Sequence, residues 1–115
     1  MSDFLLELAK TIKSRRGKDV EKSYTSLLLS KGSGKCLDKF KEECEEFSEA
    51  IKNNSNIVHE SADVVYHFLV TLESRGIKLN DVIQELKKRK NQTGHEEKKS
   101  RTKWAMIKKI FSLKS

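Results

Sequence analysis

Acidic residues crowd a short stretch in the middle of the chain, where five glutamates fall within eight positions. At the ~100° that a helix turns per residue, Glu43 and Glu46 share one flank of the face formed by neighbouring apolar residues. Glu42 lies next to Glu46 one turn earlier, whereas Glu45 and Glu49 point to the opposite side. A solvated acidic surface explains Glu45 and Glu49 well. It explains Glu43 and Glu46 less well, because these two border the apolar seam.

A second group that could do chemistry follows, where Glu60, Asp63 and His67 recur at i, i+3 and i+7. This spacing places the three side chains in a narrow arc of one helix face, among mostly apolar neighbours. Buried carboxylates cost several kcal/mol unless they are paired or bound to a metal. Since no basic residue shares the spacing, a cation from outside the chain would have to balance the acids.

If the two helices face each other, four carboxylates would offer the hard oxygen ligands that Mg²⁺ prefers, with water at the remaining positions. The alternative is an ordinary solvated acidic surface, which is what most runs of charge are. The residues alone leave both interpretations open.

The segments that carry these acids have helical periodicity, and no strand-like alternation of useful length is present. The apolar spacing predicts five helical segments, near residues 4–12, 23–29, 37–51, 57–75 and 80–86. The third has the seam of a bundle helix, formed by Leu37, Phe40, Cys44, Phe47 and Ile51, and the fourth is apolar on most of its circumference and should be the most buried. We therefore predict an all-α fold, a compact helical bundle.

Turn residues separate the predicted helices. Gly17 and Gly76 end helices, Gly32-Ser33-Gly34 and the polar residues 53–56 form turns, and Asn80 caps the last core helix. Gly94 breaks the basic segment that follows.

Composition narrows the class of protein. Apolar and charged residues each make up 36% of the chain, so the core must be thin, and no run approaches the ~20 apolar residues of a membrane span. No secretory leader is recognisable, and the two cysteines lack a metal-ligand spacing or a disulfide framework. These features predict a reducing, cytoplasmic compartment.

The basic excess belongs to one end of the chain. Residues 1–97 carry as many acids as bases, whereas residues 98–115 hold the surplus that accounts for the net charge of +7. We predict a neutral all-α domain over 1–97, a basic helical tail over 98–115, and no nucleic-acid partner. The tail could lie on an anionic membrane or dock a partner. The favoured interpretation is that it covers apolar surface of a dimer. Removal of residues 102–115 should leave the chemistry intact, because the acids proposed to bind a metal all precede Gly76.

The acidic motif and the residues around it resemble the phosphoribosyl-ATP pyrophosphohydrolase family, among the all-α nucleoside triphosphate pyrophosphohydrolases. The metal motif is Glu42-Glu43-x-x-Glu46 followed by Glu60-x-x-Asp63. The resemblance covers roughly residues 4–101. Its further sequence motifs are Ser23-Tyr24-Thr25 with Leu28 and Gly32, Lys35 and Lys39, Ser61-Ala62, Val64-Val65-Tyr66-His67, Glu85-Leu86 with Arg89, Thr93-Gly94 and Glu96-Glu97-Lys98. Departures at Lys41 and at Phe47-Ser48-Glu49 leave the metal motif intact.

The resemblance implies Mg²⁺-dependent hydrolysis of phosphoribosyl-ATP to phosphoribosyl-AMP and pyrophosphate, the second step of histidine biosynthesis. Cleavage of an α–β phosphoanhydride needs a positioned water and neutralised phosphate oxygens, which Mg²⁺ supplies. The four acids assigned as metal ligands are Glu43, Glu46, Glu60 and Asp63. Glu42 is the candidate general base or supports a ligand. Its alternative is a solvated acid paired with Lys39 or Lys41.

Phosphates also need cationic and hydroxyl partners. The resemblance supplies the candidates for substrate binding: Ser23, Tyr24, Thr25, Lys35, Lys39, His67 and Arg89. Each has a structural alternative, since Ser23 could cap a helix, Tyr24 could pack in the core and Arg89 could neutralise a helix end. His67 could orient Asp63, contact substrate, or be a buried and hydrogen-bonded histidine.

A thin core with one exposed apolar seam would bury too little surface alone, so we expect a homodimer that completes the bundle, as the family resemblance also implies. Two other functions stay open: a house-cleaning pyrophosphohydrolase acting on other nucleotides, and a non-catalytic helical binding protein that uses the tail. The Ser-Tyr-Thr motif and the Tyr66-His67 pair argue against a house-cleaning enzyme. The complete acid set argues against the second.

Overall fold

The computed structural model describes residues 2–90, and over that range it contains five α-helices and no β-strand. The helices are α1 (Ser2–Ser14), α2 (Tyr24–Ser30), α3 (Ser33–Asn53), α4 (Ile57–Ser74) and α5 (Leu79–Lys90). The all-α prediction is confirmed. No helix in this range is long and apolar enough to cross a membrane. The predicted break at Gly94, the domain boundary after residue 97 and the basic tail lie outside the described residues.

The chain divides into two compact units, with the boundary after Asn80. In the first unit, α3 and α4 form the principal helix pair, and α1 and α2 both pack against α4. The buried apolar residues of this unit are Ile12, Leu28, Leu29, Cys36, Ala50, Leu69, Val70 and Leu79. Most of α5 belongs to the second unit and carries one described ion pair, between Arg89 and Glu85.

Local turn chemistry explains where the helices begin and end. The Ser23 hydroxyl accepts a hydrogen bond from the Ser26 amide at 3.2 Å and caps α2. Gly76 ends α4 as predicted, with a φ of +69° that favours glycine. The predicted three-residue glycine turn is shorter than expected, because Gly32 alone has positive φ while Ser33 already begins α3.

The last core helix begins earlier than the pattern predicted. α5 starts at Leu79, so Asn80 lies in its first turn and does not cap it, and the helix continues to Lys90. The prediction of an Asn80 cap was therefore wrong. Helix-forming lysines beyond Leu86 allow the helix to continue without an apolar face.

The predicted seam of α3 contacts α4 at Phe40, whose ring lies 6.2 Å from that of Phe68, but the fully buried line of the helix runs beside the seam. Cys36, Glu43 and Ala50 are buried at heptad spacing, whereas Leu37 and Ile51 are 42% and 51% exposed. The small side chains of Cys36 and Ala50 allow close approach of α4, whose Thr71 hydroxyl donates to the Cys36 carbonyl at 3.2 Å. Glu43 consequently lies within the contact with α4 and not on its border.

The fourth helix is not covered all round in the single chain. His67, Leu69 and Val70 are buried, but Val58 and Val65 are 83% and 40% exposed. With exposed Ala62 between them, they form an apolar line that we call the valine stripe. Its i, i+4, i+7 spacing puts it on the side of α4 opposite His67.

Candidate active site

Three of the four predicted metal ligands meet where α3 faces α4. Carboxylate oxygens of Glu43, Glu46 and Glu60 all lie within 4.8 Å of one another. Glu43 and Glu46 share one side of α3 because they are one turn apart. The chain turns back through Asn54 and Asn56, which have left-handed φ values of 50° and 57°, so that the first turn of α4 presents Glu60 to this pair.

Asp63, the fourth predicted ligand, belongs to a second and overlapping group. Its ligand atom lies within 4.8 Å of those of Glu60 and His59. The His59 Nε2 atom is 3.3 Å from Asp63 Oδ2, an i, i+4 pair on the exposed side of α4. Glu60 belongs to both groups and connects them. Sequence reasoning did not single out His59, although its position one turn before Asp63 was a usable signal.

The acid cluster contains two carboxylate oxygens that have no partner. Glu43 is only 8% exposed, and the Oε2 atoms of Glu43 and Glu60 are buried without a hydrogen bond. Burial raises the pKa of Glu43, and the neighbouring Glu46 raises it further through a hydrogen bond and its charge. A buried carboxylate in this state requires a proton or a cation. The donor set is all oxygen and therefore fits a hard divalent cation such as Mg²⁺.

An open acidic cleft lies beside these carboxylates. Its acidic lining comes from two helices: Glu42, Glu45, Glu46 and Glu49 of α3 and Glu60 of α4. The prediction that Glu45 and Glu49 point away was wrong, because each is one turn from Glu42 or Glu46 on the same helix stripe. No lysine or arginine is among the described lining residues. A polyphosphate could therefore bind beside this wall only with a cation between the like charges.

Two side-chain hydrogen bonds join the start of α2 to α4 next to this cluster. The Tyr24 hydroxyl lies 3.4 Å from His67 Nε2, and the Thr25 and Tyr66 hydroxyls are hydrogen-bonded to each other. His67 is 6% exposed, whereas Tyr24 is 49% exposed. The structure thus brings Tyr24, Thr25 and His67 together. The sequence predicted no function for Tyr66, although it belongs to one of the family's motifs.

The remaining candidates have separate positions. Ser23 makes the helix cap described above, and Lys35 is exposed in the first turn of α3. Lys39 Nζ is 3.1 Å from Glu42 Oε2, the pairing foreseen as the alternative role of Glu42. This hydrogen bond raises the pKa of Lys39. Arg89 lies in the last turn of α5, in the second unit, with its Nε 3.3 Å from Glu85. The substrate-binding roles of these residues stay predictions.

The raised pKa of Glu43 predicts how the stability of the cation-free protein depends on pH. Its folded-state pKa lies above the ordinary 4.5, so the folded chain holds this proton more tightly than the unfolded chain. The free energy of unfolding should therefore fall as pH rises from the ordinary pKa through the raised one. Glu43→Gln stays neutral and should lack this component of the fall.

Thermal unfolding in EDTA across a pH series would measure this difference. Asp38→Asn is the matched control, because Asp38 is an exposed acid on the same helix. We expect Asp38→Asn to have the same pH profile as wild type. At pH values above the raised pKa of Glu43, Glu43→Gln should have the highest melting temperature of the three proteins. Identical pH profiles for Glu43→Gln and wild type would contradict the assignment of a strained carboxylate.

Comparison with known proteins identifies the family of this chain. The family model for phosphoribosyl-ATP pyrophosphohydrolase matches residues 5–90, which include every acid of the cluster. A phosphoribosyl-ATP pyrophosphatase of Ruegeria pomeroyi is 48% identical over 86% of this chain and 96% of its own. Those of Dechloromonas aromatica and Paracoccus denitrificans are each 46% identical, over 86% and 84% of this chain and 94% and 92% of their own. A helical chain with this acid cluster and these relatives belongs to the phosphoribosyl-ATP pyrophosphohydrolase family.

Proposed function

We propose that this protein hydrolyses phosphoribosyl-ATP to phosphoribosyl-AMP and pyrophosphate, the second step of histidine biosynthesis. The observation that carries the proposal is the pair of buried, unpartnered carboxylate oxygens on Glu43 and Glu60, within reach of Glu46. Burying these oxygens without a partner costs free energy, and a bound cation with a phosphate chain would offset that cost. Membership of the family supports the choice of phosphoribosyl-ATP as the substrate.

Mg²⁺ is the proposed cofactor. Glu43, Glu46, Glu60 and Asp63 are the residues proposed to hold it, and their all-oxygen chemistry supports this choice over softer metals. When bound, the ion would neutralise phosphate oxygens and lower the pKa of a coordinated water. The acidic cleft supports the same conclusion, because like charges would otherwise repel the substrate.

The side chains of this protein then have distinct tasks in the reaction. Water attacks the α-phosphorus, the bond from phosphorus to the α–β bridging oxygen breaks, and pyrophosphate leaves. Lys39 lies one turn before Glu43 and supplies a cation for the negatively charged phosphates. If Lys39 moves to a phosphate, Glu42 loses its partner and its exposed carboxylate can accept the proton of the attacking water.

Pyrophosphate release from three nucleotides tests the proposal directly. The full-length protein would be incubated separately with phosphoribosyl-ATP, dUTP and dCTP, with MgCl₂ or with EDTA. We expect release from phosphoribosyl-ATP with MgCl₂ and none with EDTA. Turnover of only the pyrimidine nucleotides would overturn the proposed substrate and favour a house-cleaning enzyme. Full activity in EDTA would overturn the proposed cofactor.

A homodimer in the cytoplasm completes the proposal. The single chain leaves the valine stripe exposed, and a second copy in a two-fold arrangement would cover it with the same stripe. Both cysteines are free thiols and Cys36 is buried, which suits a reducing compartment.

A further inference from the structure

A second groove, lined by cations and apolar side chains, lies at the far end of α4, and we call it the basic groove. Its volume is about 400 Å³, which is within the range of small-molecule sites. It is lined from α1 by Leu6, Ala9, Lys10 and Lys13, and from the turn between α4 and α5 by Ile77 and Lys78. Glu73, which also lines it, follows Glu60 by thirteen residues, about 20 Å along a helix, so the basic groove is separate from the acid cluster.

Hydrogen bonds hold the turn between α4 and α5 in place. The Gly76 amide donates to the Glu73 carbonyl at 2.9 Å, and the Ile77 amide donates to the Leu72 carbonyl at 3.0 Å, which is the Schellman arrangement of a helix end. The Arg16 guanidinium donates to the same Glu73 carbonyl, and its Nε atom lies 3.8 Å from Glu73 Oε1. These contacts join the segment after α1 to the end of α4, so the groove is formed before a ligand binds.

The basic groove offers apolar surface that water can reach. Ile77 is 48% exposed, although its backbone is fixed in the turn. On α1, Leu6 and Ala9 share one face with Lys10 and Lys13, because the four positions have the i, i+3, i+4, i+7 spacing. Apolar surface and ammonium groups therefore lie side by side in one groove.

The charges that line the basic groove are not balanced. Glu73 is the acid among its described lining residues, and Arg16 is the ion-pair partner of Glu73. Lys10, Lys13 and Lys78 are exposed, and none of them forms an ion pair within residues 2–90. Lys10 and Lys13 are one turn apart, so both ammonium groups can reach one anion. Three unpaired ammonium groups suit a group with two negative charges better than a carboxylate with one.

We propose that the basic groove binds a phosphate monoester that carries a compact apolar body. A phosphate monoester has close to two negative charges at neutral pH, which Lys10, Lys13 and Lys78 would balance. Its apolar body would lie against Leu6 and Ile77 and remove their surface from water. An uncharged apolar ligand would leave the ammonium groups unpaired, and inorganic phosphate would leave the apolar surface in water.

Phenyl phosphate is the probe, because it joins a phosphate to a compact apolar ring. Its binding to the full-length protein would be measured by calorimetry in EDTA, so that no divalent cation attaches phosphate to the acidic cleft. Benzoate keeps the ring with a single charge, and inorganic phosphate keeps the charge without the ring. We expect phenyl phosphate to bind about tenfold more tightly than either. Equal affinity for benzoate would overturn the choice of a phosphate, and equal affinity for inorganic phosphate would overturn the apolar contact.

Variants of the lysines on α1 test whether the phosphate binds in the basic groove. The double variant Lys10→Ala/Lys13→Ala should weaken phenyl phosphate and inorganic phosphate alike, by about tenfold. The matched control is Lys87→Ala/Lys88→Ala, which removes the same charge from exposed positions on α5 and should bind as wild type does. If the control loses as much affinity as the groove variant, only the net charge of the protein matters and the proposal is wrong.

A variant of Ile77 tests the apolar contact. Ile77→Ser should weaken phenyl phosphate and leave inorganic phosphate unchanged, because only the ring contacts this side chain. Val20→Ser is the matched control, since Val20 is 42% exposed and is not among the lining residues. Circular dichroism would show that both variants fold. Unchanged binding of phenyl phosphate to a folded Ile77→Ser would overturn the apolar contact.

A second copy of the chain is the other candidate occupant of the basic groove. If phenyl phosphate does not bind, the proposal is wrong, and altered sedimentation of Ile77→Ser would then show that the groove is an interface between copies. The inference does not depend on the proposed function, because binding is measured without Mg²⁺ and without turnover. A protein that fails to hydrolyse phosphoribosyl-ATP but binds phenyl phosphate as described would contradict that function alone.

Discussion

Replacing Glu60 by glutamine is expected to lower phosphoribosyl-ATP turnover by about three orders of magnitude, since each ~1.4 kcal/mol is tenfold and the lost charge stabilisation is several kcal/mol. Glu60 is the one acid common to both ligand groups. Its buried Oε2 has no hydrogen-bond partner that the substitution could disturb. Glutamine keeps the shape of the side chain and removes the charge, so helical content should not change.

The measurement is pyrophosphate release with and without MgCl₂, together with circular dichroism. Asp38→Asn removes the same charge from an exposed position on α3 and should keep wild-type turnover. Asp63→Asn should also be strongly impaired, because Asp63 shares the second group with Glu60. Wild-type turnover by Glu60→Gln would remove the acid cluster from the mechanism.

Val58→Asp is expected to dissociate the proposed dimer. Val58 is the most exposed of the large hydrophobic residues described, at 83%, and it lies on the valine stripe. In a two-fold dimer the stripe faces itself, so the substitution places one carboxylate of each chain against apolar surface of the other. Burying an unpaired charge costs several kcal/mol, which corresponds to an increase of at least ~100-fold in the dissociation constant.

Sedimentation of the variant across a concentration series would measure that change. Phe4→Asp is the matched control, because Phe4 is also a large hydrophobic residue, is 65% exposed, and lies on a different helix, α1. We expect the control to sediment as wild type does. If Phe4→Asp dissociates the dimer and Val58→Asp does not, the interface lies on α1 and the proposed stripe is wrong.

Local features of this chain could be predicted with good accuracy from its sequence. Helical periodicity predicted the positions of α1 to α4, because a few consecutive turns are enough to reveal the period of an amphipathic helix. Ser23 and Gly76 marked helix ends, since capping and positive φ depend on the residue itself and its nearest neighbours. The relation of Glu43 to Glu46 was likewise readable, because it lies within one helix.

Contacts between helices were harder to predict from the sequence. The predicted seam on α3 is half-buried at its centre, where the ring of Phe40 lies 6.2 Å from that of Phe68 on α4, but its two ends, Leu37 and Ile51, are exposed. The fully buried line runs beside it, through Cys36 and Ala50. Periodicity gives the apolar side of a helix only approximately, whereas the size of side chains on both helices decides which line another helix approaches. The error mattered for function, because it left Glu43 on the border of a contact that buries it.

Residue type and spacing within a helix were enough to predict the helical class, the positions of four helices and the acids that could bind a cation. Three facts required the packed helices: which carboxylate oxygens are buried without a partner, that Glu60 belongs to two ligand groups, and that Tyr24 contacts His67. Those facts depend on the distance between atoms far apart in the chain, and packing of whole helices sets that distance. The contact of Tyr24 shows the difference most clearly, because its hydroxyl lies 3.4 Å from the Nε2 atom of His67, 43 residues later in the chain.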